Sequence, residues 1–304
     1  MKYSGIGGQA VMEGVMMKND ANYAVAVRKP DQEIIVETHE YPGLVKNKKI
    51  RNLPILRGVL GFVESLSLGF QTLSFSASFF EEEEEKNRNE KKEEFVMGIV
   101  VAVSIVFAIA VFMMLPYGIS LFFRRLITSE WVCALLEGVF RLLIFVGYVA
   151  GISWMPDIKR VYMYHGAEHK CINCLEHGMD LTVENVRSSS RLHKRCGTSF
   201  LFIVMFVSIL FFMLIRVDSG VLRLVLRLIL IPAIAGVSYE LIRFAGRSDH
   251  VFVHVISAPG LLLQRITTRE PTDDMIEVAI ASVEAVFDWK AFVRGDDGGK
   301  RGEA

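Results

Sequence analysis

FVMGIVVAVSIVFAIAVFMMLPYGISLFF, residues 95–123, is a run of 29 residues without a charge. A hydrocarbon core about 30 Å thick takes about 20 apolar residues to cross as a helix, so this run can span a bilayer with residues to spare. CGTSFLFIVMFVSILFFMLI, residues 196–215, is a second uncharged stretch, of 20 residues. Working outward from these two, the chain is predicted to be mainly α, a polytopic membrane helix bundle of about four spans. The spans are expected over 96–116, ending near Pro116; over 132–154; over 197–216; and over 222–244. Glu137 and Arg141 in the second are four apart and share a helical face, where they can pair. Arg223, Arg227, Glu240 and Arg243 sit inside the ends of the fourth.

Composition agrees. Of 304 residues, 52% are hydrophobic, more than an ordinary soluble globule carries, and the mean hydropathy is +0.36. Lys+Arg and Asp+Glu are 34 each, a zero balance that argues against a nucleic-acid partner. The first 30 residues hold no apolar core and no cleavage pattern, so no signal peptide is expected. Positive residues set orientation. Residues 1–57 and the polar stretch after the second span are rich in Lys and Arg. The segments after the first and third spans hold only Arg124, Arg125 and Arg216. Both termini and the polar stretch are therefore expected on the cytoplasmic side of a cell membrane.

The rest divides as follows. Residues 1–53 read as a small strand-containing cytoplasmic domain, with a hairpin from Tyr23–Val27 and Glu33–Thr38. Gly5, Gly7, Gly8 and Gly14 around QAVME lack the lysine-serine pair of a phosphate loop and read as a tight turn. In 54–94, Val59, Val63, Leu66, Phe70, Leu73, Ala77 and Phe80 form a helical stripe, read as a membrane-surface or bundle-packed helix, followed by the acidic linker EEEEEKNRNEKKEE. Spans one and two occupy 95–156, a His/Cys loop 157–196, spans three and four 197–245, and amphipathic helices 246–304.

The chemistry concentrates in 157–196. His165-x-x-Glu168-His169 has the H-x-x-E-H spacing of inverted zinc peptidases. On a helix both imidazoles reach one metal, and Glu168 beside them can take a proton from water whose pKa the metal lowers. His193-x-x-Cys196 is a compact ligand pair in the same stretch, and Glu184 a further acid. Cys171, Cys174 and His177 are weaker candidates. The mixed donor set suits zinc, or another divalent transition metal. His250 and His254 are also four apart, but VFVHVI alternates like a strand and no acid separates them. Asp273 and Asp274 follow Pro271 and read as first-turn acids complementing a helix dipole.

GGQAVMEGVMM (7–17), YHGAEHKCI (164–172), LTVENVR (181–187), HKRCGTSF (193–200) and PGLLLQRITTREPTDDMIEVAIASVEAV (259–286) resemble the YqhQ-like family of multipass bacterial membrane proteins. The resemblance covers nearly the whole chain and implies a bacterial cell-membrane location. It favours His165, Glu168, His169, Glu184, His193 and Cys196 over Cys171, Cys174, His250 and His254. Members are sometimes called predicted metal-dependent enzymes, which supplies no reaction.

These readings converge on a metal-dependent hydrolase at the cytoplasmic membrane face, acting on a membrane-associated peptide or lipid. His165, His169, His193 and Cys196 are the expected metal ligands, Glu168 the general base, and Glu184 an orienting group or further ligand. The alternative is a non-enzymatic scaffold or transport-related protein in which the metal pins the loop. A channel or transporter using Glu137, Arg141 and Arg227 would need a continuous polar face, and the charges are scattered.

Overall fold

The structure, a computed structural model, describes residues 2–45, 47, 53–80, 90–123, 125–127, 129–215, 217, 219–247 and 251–295. The acidic run over 81–89, His250, Arg124 and Arg216 lie outside these. The fold is mainly helical, with one four-stranded antiparallel sheet near the N-terminus.

Strands β1 (Gly7–Val11), β2 (Gly14–Asn19), β3 (Asn22–Arg28) and β4 (Ile34–Glu40) form a meander in the order β1-β2-β3-β4. The hairpin expected from Tyr23 onward is the β3–β4 pair, in register Val27↔Ile35. The glycine-rich segment is not only a turn. It supplies β1, β2 and the two residues between them, of which Glu13 takes φ 49°. Pairing alternates side chains between faces. Val15, Met17 and Ala26 point one way; Val11, Met16, Val25 and Val27 point the other.

The second face packs on Leu68 and Phe75 of α1 (Leu56–Ala77). That helix is where it was expected, and the side that packs on the protein is not its apolar stripe. Gly58, Glu64, Leu68, Gly69, Thr72 and Ser76 are buried, while Val63, Leu66, Phe70 and Leu73 are 44–58% exposed. Small residues decide this. A Cβ on Gly69 would stand 2.6 Å from the Gln9 amide oxygen, and one on Gly58 3.0 Å from the Gly236 Cα. The close-packing face is the glycine face, and the apolar stripe is left outside.

Among the described residues, three segments are long and apolar enough to cross a membrane: Phe95–Phe123, Glu130–Ile152 and Gly220–Phe244. The first comprises α2 (Glu90–Ile109), a π-helical turn (Ala110–Met114) and α3 (Leu115–Phe123). It runs seven residues beyond Pro116, where the sequence reading placed its end. Proline has no N–H for the carbonyl four residues back. That carbonyl, on Phe112, instead accepts from Arg141 Nε at 3.0 Å, so the helix continues. The second segment is α4 (Glu130–Ile152), in which Glu137 and Arg141 pair at 2.8 Å as expected. Helix α7 (Gly197–Met213) is apolar but only 17 residues long, and α8 (Gly220–Arg247) holds the third long segment.

The stretch read as a loop is largely helix: α5 (Pro156–Glu176) and α6 (Val183–Ser188). VFVHVI, read as strand-like, opens α9 (Val251–Thr267), whose helical pattern continues through LLLQRIT and overrides the local alternation. Helix α10 (Asp273–Val286) begins with the two first-turn acids as expected, and α11 (Trp289–Arg294) follows. Tyr164, Ala167, Cys171 and Leu175 of α5 meet Met275, Ile276 and Ala279 of α10 and the first face of the sheet in one core. The N-terminus, the middle and the C-terminus of the chain thus share a single hydrophobic centre.

Candidate metal centre

Helix α5 places His165 and His169 one turn apart, with ring centroids 4.4 Å from each other. Cys196, the N-cap of α7, closes the group. The metal-binding atoms of His165, His169 and Cys196 all lie within 4.8 Å of one another. His165 is partly buried; His169 and Cys196 are 1% and 6% exposed.

The orientation of the rings is set by backbone. His165 Nδ1 donates to the Thr267 carbonyl at 2.8 Å, and His169 Nδ1 to the Arg191 carbonyl at 2.7 Å. Each imidazole therefore keeps Nε2 for the centre, the arrangement in which ligating histidines are ordinarily held. His165 Nε2 stands 3.2 Å from Cys196 Sγ, which also accepts from the Thr198 amide at 3.4 Å.

The carbonyls that do this come from an ordered segment. Lys170 Nζ donates to the Arg187 and Ser189 carbonyls at 2.9 and 2.8 Å. Asn173 Nδ2 donates to those of Ser190 and Leu192 at 2.7 and 3.0 Å. With His169, one face of α5 thus satisfies five carbonyls between 187 and 192. From α9, buried Gln264 accepts from the His193 amide at 2.9 Å and donates to the His193 carbonyl at 2.8 Å, fixing the approach to Cys196.

Electrostatics follow from burial. Desolvation pushes the Cys196 thiol up, but the charges of His165 and His169 and their hydrogen bonds outweigh it and hold it well below the usual thiol range. Burial likewise opposes charge on His165, yet the facing Cys196 thiolate pushes its pKa up to about 9. Glu168 is 5% exposed, and burial raises its pKa against the opposing pull of both histidines. Its carboxylate takes a hydrogen bond from the Gly8 backbone, while Oε2 has no partner among the described residues. A Cβ on Gly8 would lie 3.0 Å from the Glu168 Cγ and 2.6 Å from the Met16 carbonyl. The glycine-rich segment thus lets β1 close over the acid.

The remaining expected site residues are placed elsewhere. His193 is outside the three-residue cluster: its Nε2 meets Glu176 Oε2 at 3.4 Å, and burial keeps its pKa below the ordinary value despite that partner. Glu184 is exposed in the first turn of α6, where an acid complements the helix N-terminus, and is not brought to the cluster. Cys171 and Cys174 are free thiols in the core, with pKa values raised by burial, that of Cys174 to about 11.

Glu176 carried no signal in the sequence beyond being an acid on α5. It is 1% exposed, accepts from the Ser4 amide at 3.1 Å and hydroxyl at 2.9 Å, and pairs with Arg195. Burial pushes its pKa up, but His193, Arg195 and the Ser4 amide together pull it down to about 2.

A family model described as "Protein of unknown function (DUF1385)" matches residues 53–289. The chain is 35% identical over 286 residues to "Uncharacterized protein YqhQ" of Bacillus subtilis (strain 168), covering 91% of this chain and 90% of that protein. No solved structure matches.

Proposed function

The chain belongs to the DUF1385 family, and from its buried His/Cys cluster with Glu168 nearby we propose that it is a metal-dependent hydrolase of the bacterial cell membrane. The observation that carries this reading is the pair of histidines whose Nδ1 atoms are tied to carbonyls, with His165 Nε2 3.2 Å from the Cys196 sulfur and His169 in the same three-residue cluster. The donor set fits zinc or another divalent transition metal: two imidazoles, a thiol already driven toward thiolate, and beside them a buried carboxylate oxygen without a partner. His165, His169 and Cys196 would hold the ion. When bound, it would supply a Lewis acid that lowers the pKa of a water to near neutrality.

The chain's own groups do the rest. Glu168, its pKa raised by burial, would serve as the general base that takes up a proton and gives it to the leaving group. The Gly8 backbone holds the carboxylate, and Oε2 is left without a partner among the described residues. Thr267 and Arg191 fix the two imidazole tautomers. The substrate is a membrane-associated peptide or lipid, reached at the cytoplasmic face. Phe95–Phe123, α4, α7 and α8 cross the bilayer, and the exposed apolar stripe of α1 lies along its surface.

A second reading rests on burial. His169, Cys196 and Glu168 are all under 7% exposed, and a four-ligand closed site is structural. One experiment addresses both. The purified protein is expected to carry about one transition metal per chain, with His165→Ala and His169→Ala losing it. Equal metal in all three would sink the centre. Metal lost also from Glu168→Gln would make Glu168 a ligand and favour the structural reading.

A further inference from the structure

The helix bundle buries more positive than negative charge. Arg141, Arg223 and Arg227 are 4%, 7% and 5% exposed, and Glu137 is 4% exposed. Glu137 Oε1 accepts from Arg141 Nη2 at 2.8 Å, and Oε2 from Arg227 Nη2 at 2.8 Å. Arg223 reaches the Val217 carbonyl. The Nε atoms of Arg223 and Arg227 are buried without a partner among the described residues. Aromatic faces soften this: Tyr117 lies 5.3 and 5.5 Å from the two guanidinium carbons, and Phe212 lies 5.0 Å from that of Arg227. Such contacts offset only part of the cost of desolvating a cation.

Glu137 and Arg227 each lie seven residues into α4 and α8, and Glu130 and Trp131 at the start of α4 line one cavity with Arg223 at the start of α8, so both helices begin at the same end of the bundle. The cluster therefore sits about 10 Å in from that end, with Arg223 nearer the surface. A cavity of about 20 Å³ reaches it, lined by Glu130, Trp131, Glu137, Arg223 and Arg227 among others. That volume admits one oxygen-sized group. At the mouth, apolar Trp131, Val132, Val221 and Leu222 are 43–75% exposed. An exposed tryptophan at a bundle end is an interface residue. Among the described residues, the three guanidinium groups share this end of the bundle with two carboxylates, Glu137 and, lining the cavity at its rim, Glu130, which leaves one positive charge over.

We propose that this cleft binds the phosphodiester headgroup of a membrane phospholipid. One phosphoryl oxygen enters between Arg223 and Arg227, and its single negative charge matches the single excess positive charge. Glu130 disfavours a doubly charged phosphomonoester. The acyl chains lie along Val132, Val221 and Leu222. The site rests on the bilayer placement proposed above and is independent of the metal centre.

The test is native mass spectrometry of the full chain in an uncharged detergent, titrated with phosphatidylglycerol. The wild type is expected to retain the lipid. Arg223→Gln should retain it about tenfold more weakly or worse, and Arg223→Lys, which keeps the charge, within about twofold of wild type. Equal retention by wild type and Arg223→Gln would overturn the proposal, as would Arg223→Lys failing alongside Arg223→Gln. Diacylglycerol, which lacks the phosphate, should not be retained; retention equal to phosphatidylglycerol would also overturn it. Displacement of the lipid by an equal concentration of inorganic phosphate would make the site one for a soluble anion and refute the lipid assignment. Release of the chain from membranes by alkaline carbonate would refute the bilayer placement itself, separately from the site.

Discussion

Glu168→Gln separates a catalytic acid from a structural one by stability as well as activity. In the metal-free protein Glu168 is buried, with Oε2 unpartnered and its pKa raised by desolvation. For a carboxyl whose folded pKa lies above its unfolded value, the stabilising contribution is present below the unfolded pKa. It is lost as pH rises through the folded one. At neutral pH the acid is therefore a liability to the fold. Glutamine keeps the shape and still leaves a polar atom at the unpartnered position, so the cost of an unsatisfied group, about 1–3 kcal/mol, stays, but the ionisation that burial disfavours is removed. The metal-stripped variant should be as stable as wild type or up to about 2 kcal/mol more stable. That is a rise of a few degrees in Tm for a chain of this size. The variant should keep its metal, yet fail to complement a deletion strain under conditions where that strain shows a defect, because losing general-base help costs about 10²–10⁴-fold in rate. Thermal unfolding with and without chelator, metal analysis and complementation make up the assay. A loss of 2 kcal/mol or more, together with normal complementation, would refute the reasoning and leave Glu168 a packing residue.

Glu176 gives the opposite pH signature: its pKa is lowered to about 2, so its contribution is present above about pH 4.5 and lost as pH falls toward 2. That shift corresponds to on the order of 3 kcal/mol; acid unfolding of Glu176→Gln should lack this component, and an unchanged acid profile would contradict it. Gly8→Ala should destabilise by about 1–3 kcal/mol, because its Cβ meets the Met16 carbonyl at 2.6 Å, with chemical denaturation as the check. Glu184→Ala should leave metal content at the wild-type level, since Glu184 is exposed and away from the cluster; a metal-free product would return it to the ligand set. The native cysteines are buried, so topology is better read from Glu184→Cys: an impermeant thiol reagent should label it only after the membrane is opened.

What the chain states locally was legible. The 29-residue uncharged run, the Glu137/Arg141 spacing and the β3–β4 hairpin all depend on neighbours within a few residues, and each appears in the structure. The helical stripe of α1 was legible as a helix, but not which side packs on the protein. Periodicity reports which residues are apolar, whereas Gly58 and Gly69 report where another backbone comes close, and here the two do not coincide. The end placed at Pro116 was missed for a related reason: the carbonyl that proline abandons is satisfied by Arg141, 29 positions away.

The site divides along the same line. His165 and His169 declare themselves because a helical turn brings them together whatever the tertiary structure, and Cys196 because it caps the next apolar helix. His193 stands only three residues before Cys196, but the backbone between them turns. Its ring meets Glu176, and an acid at the far end of α5 has no local mark of that role. The glycine-rich segment is the clearest instance. Gly8 lacks a phosphate-loop partner, and its function appears only when β1 is laid against α5 and the missing side chain leaves room for Glu168. A glycine can be required by a residue 160 positions later, and the requirement then belongs to the acid: any test of Glu168 as a base is also a test of why Gly8 has no side chain.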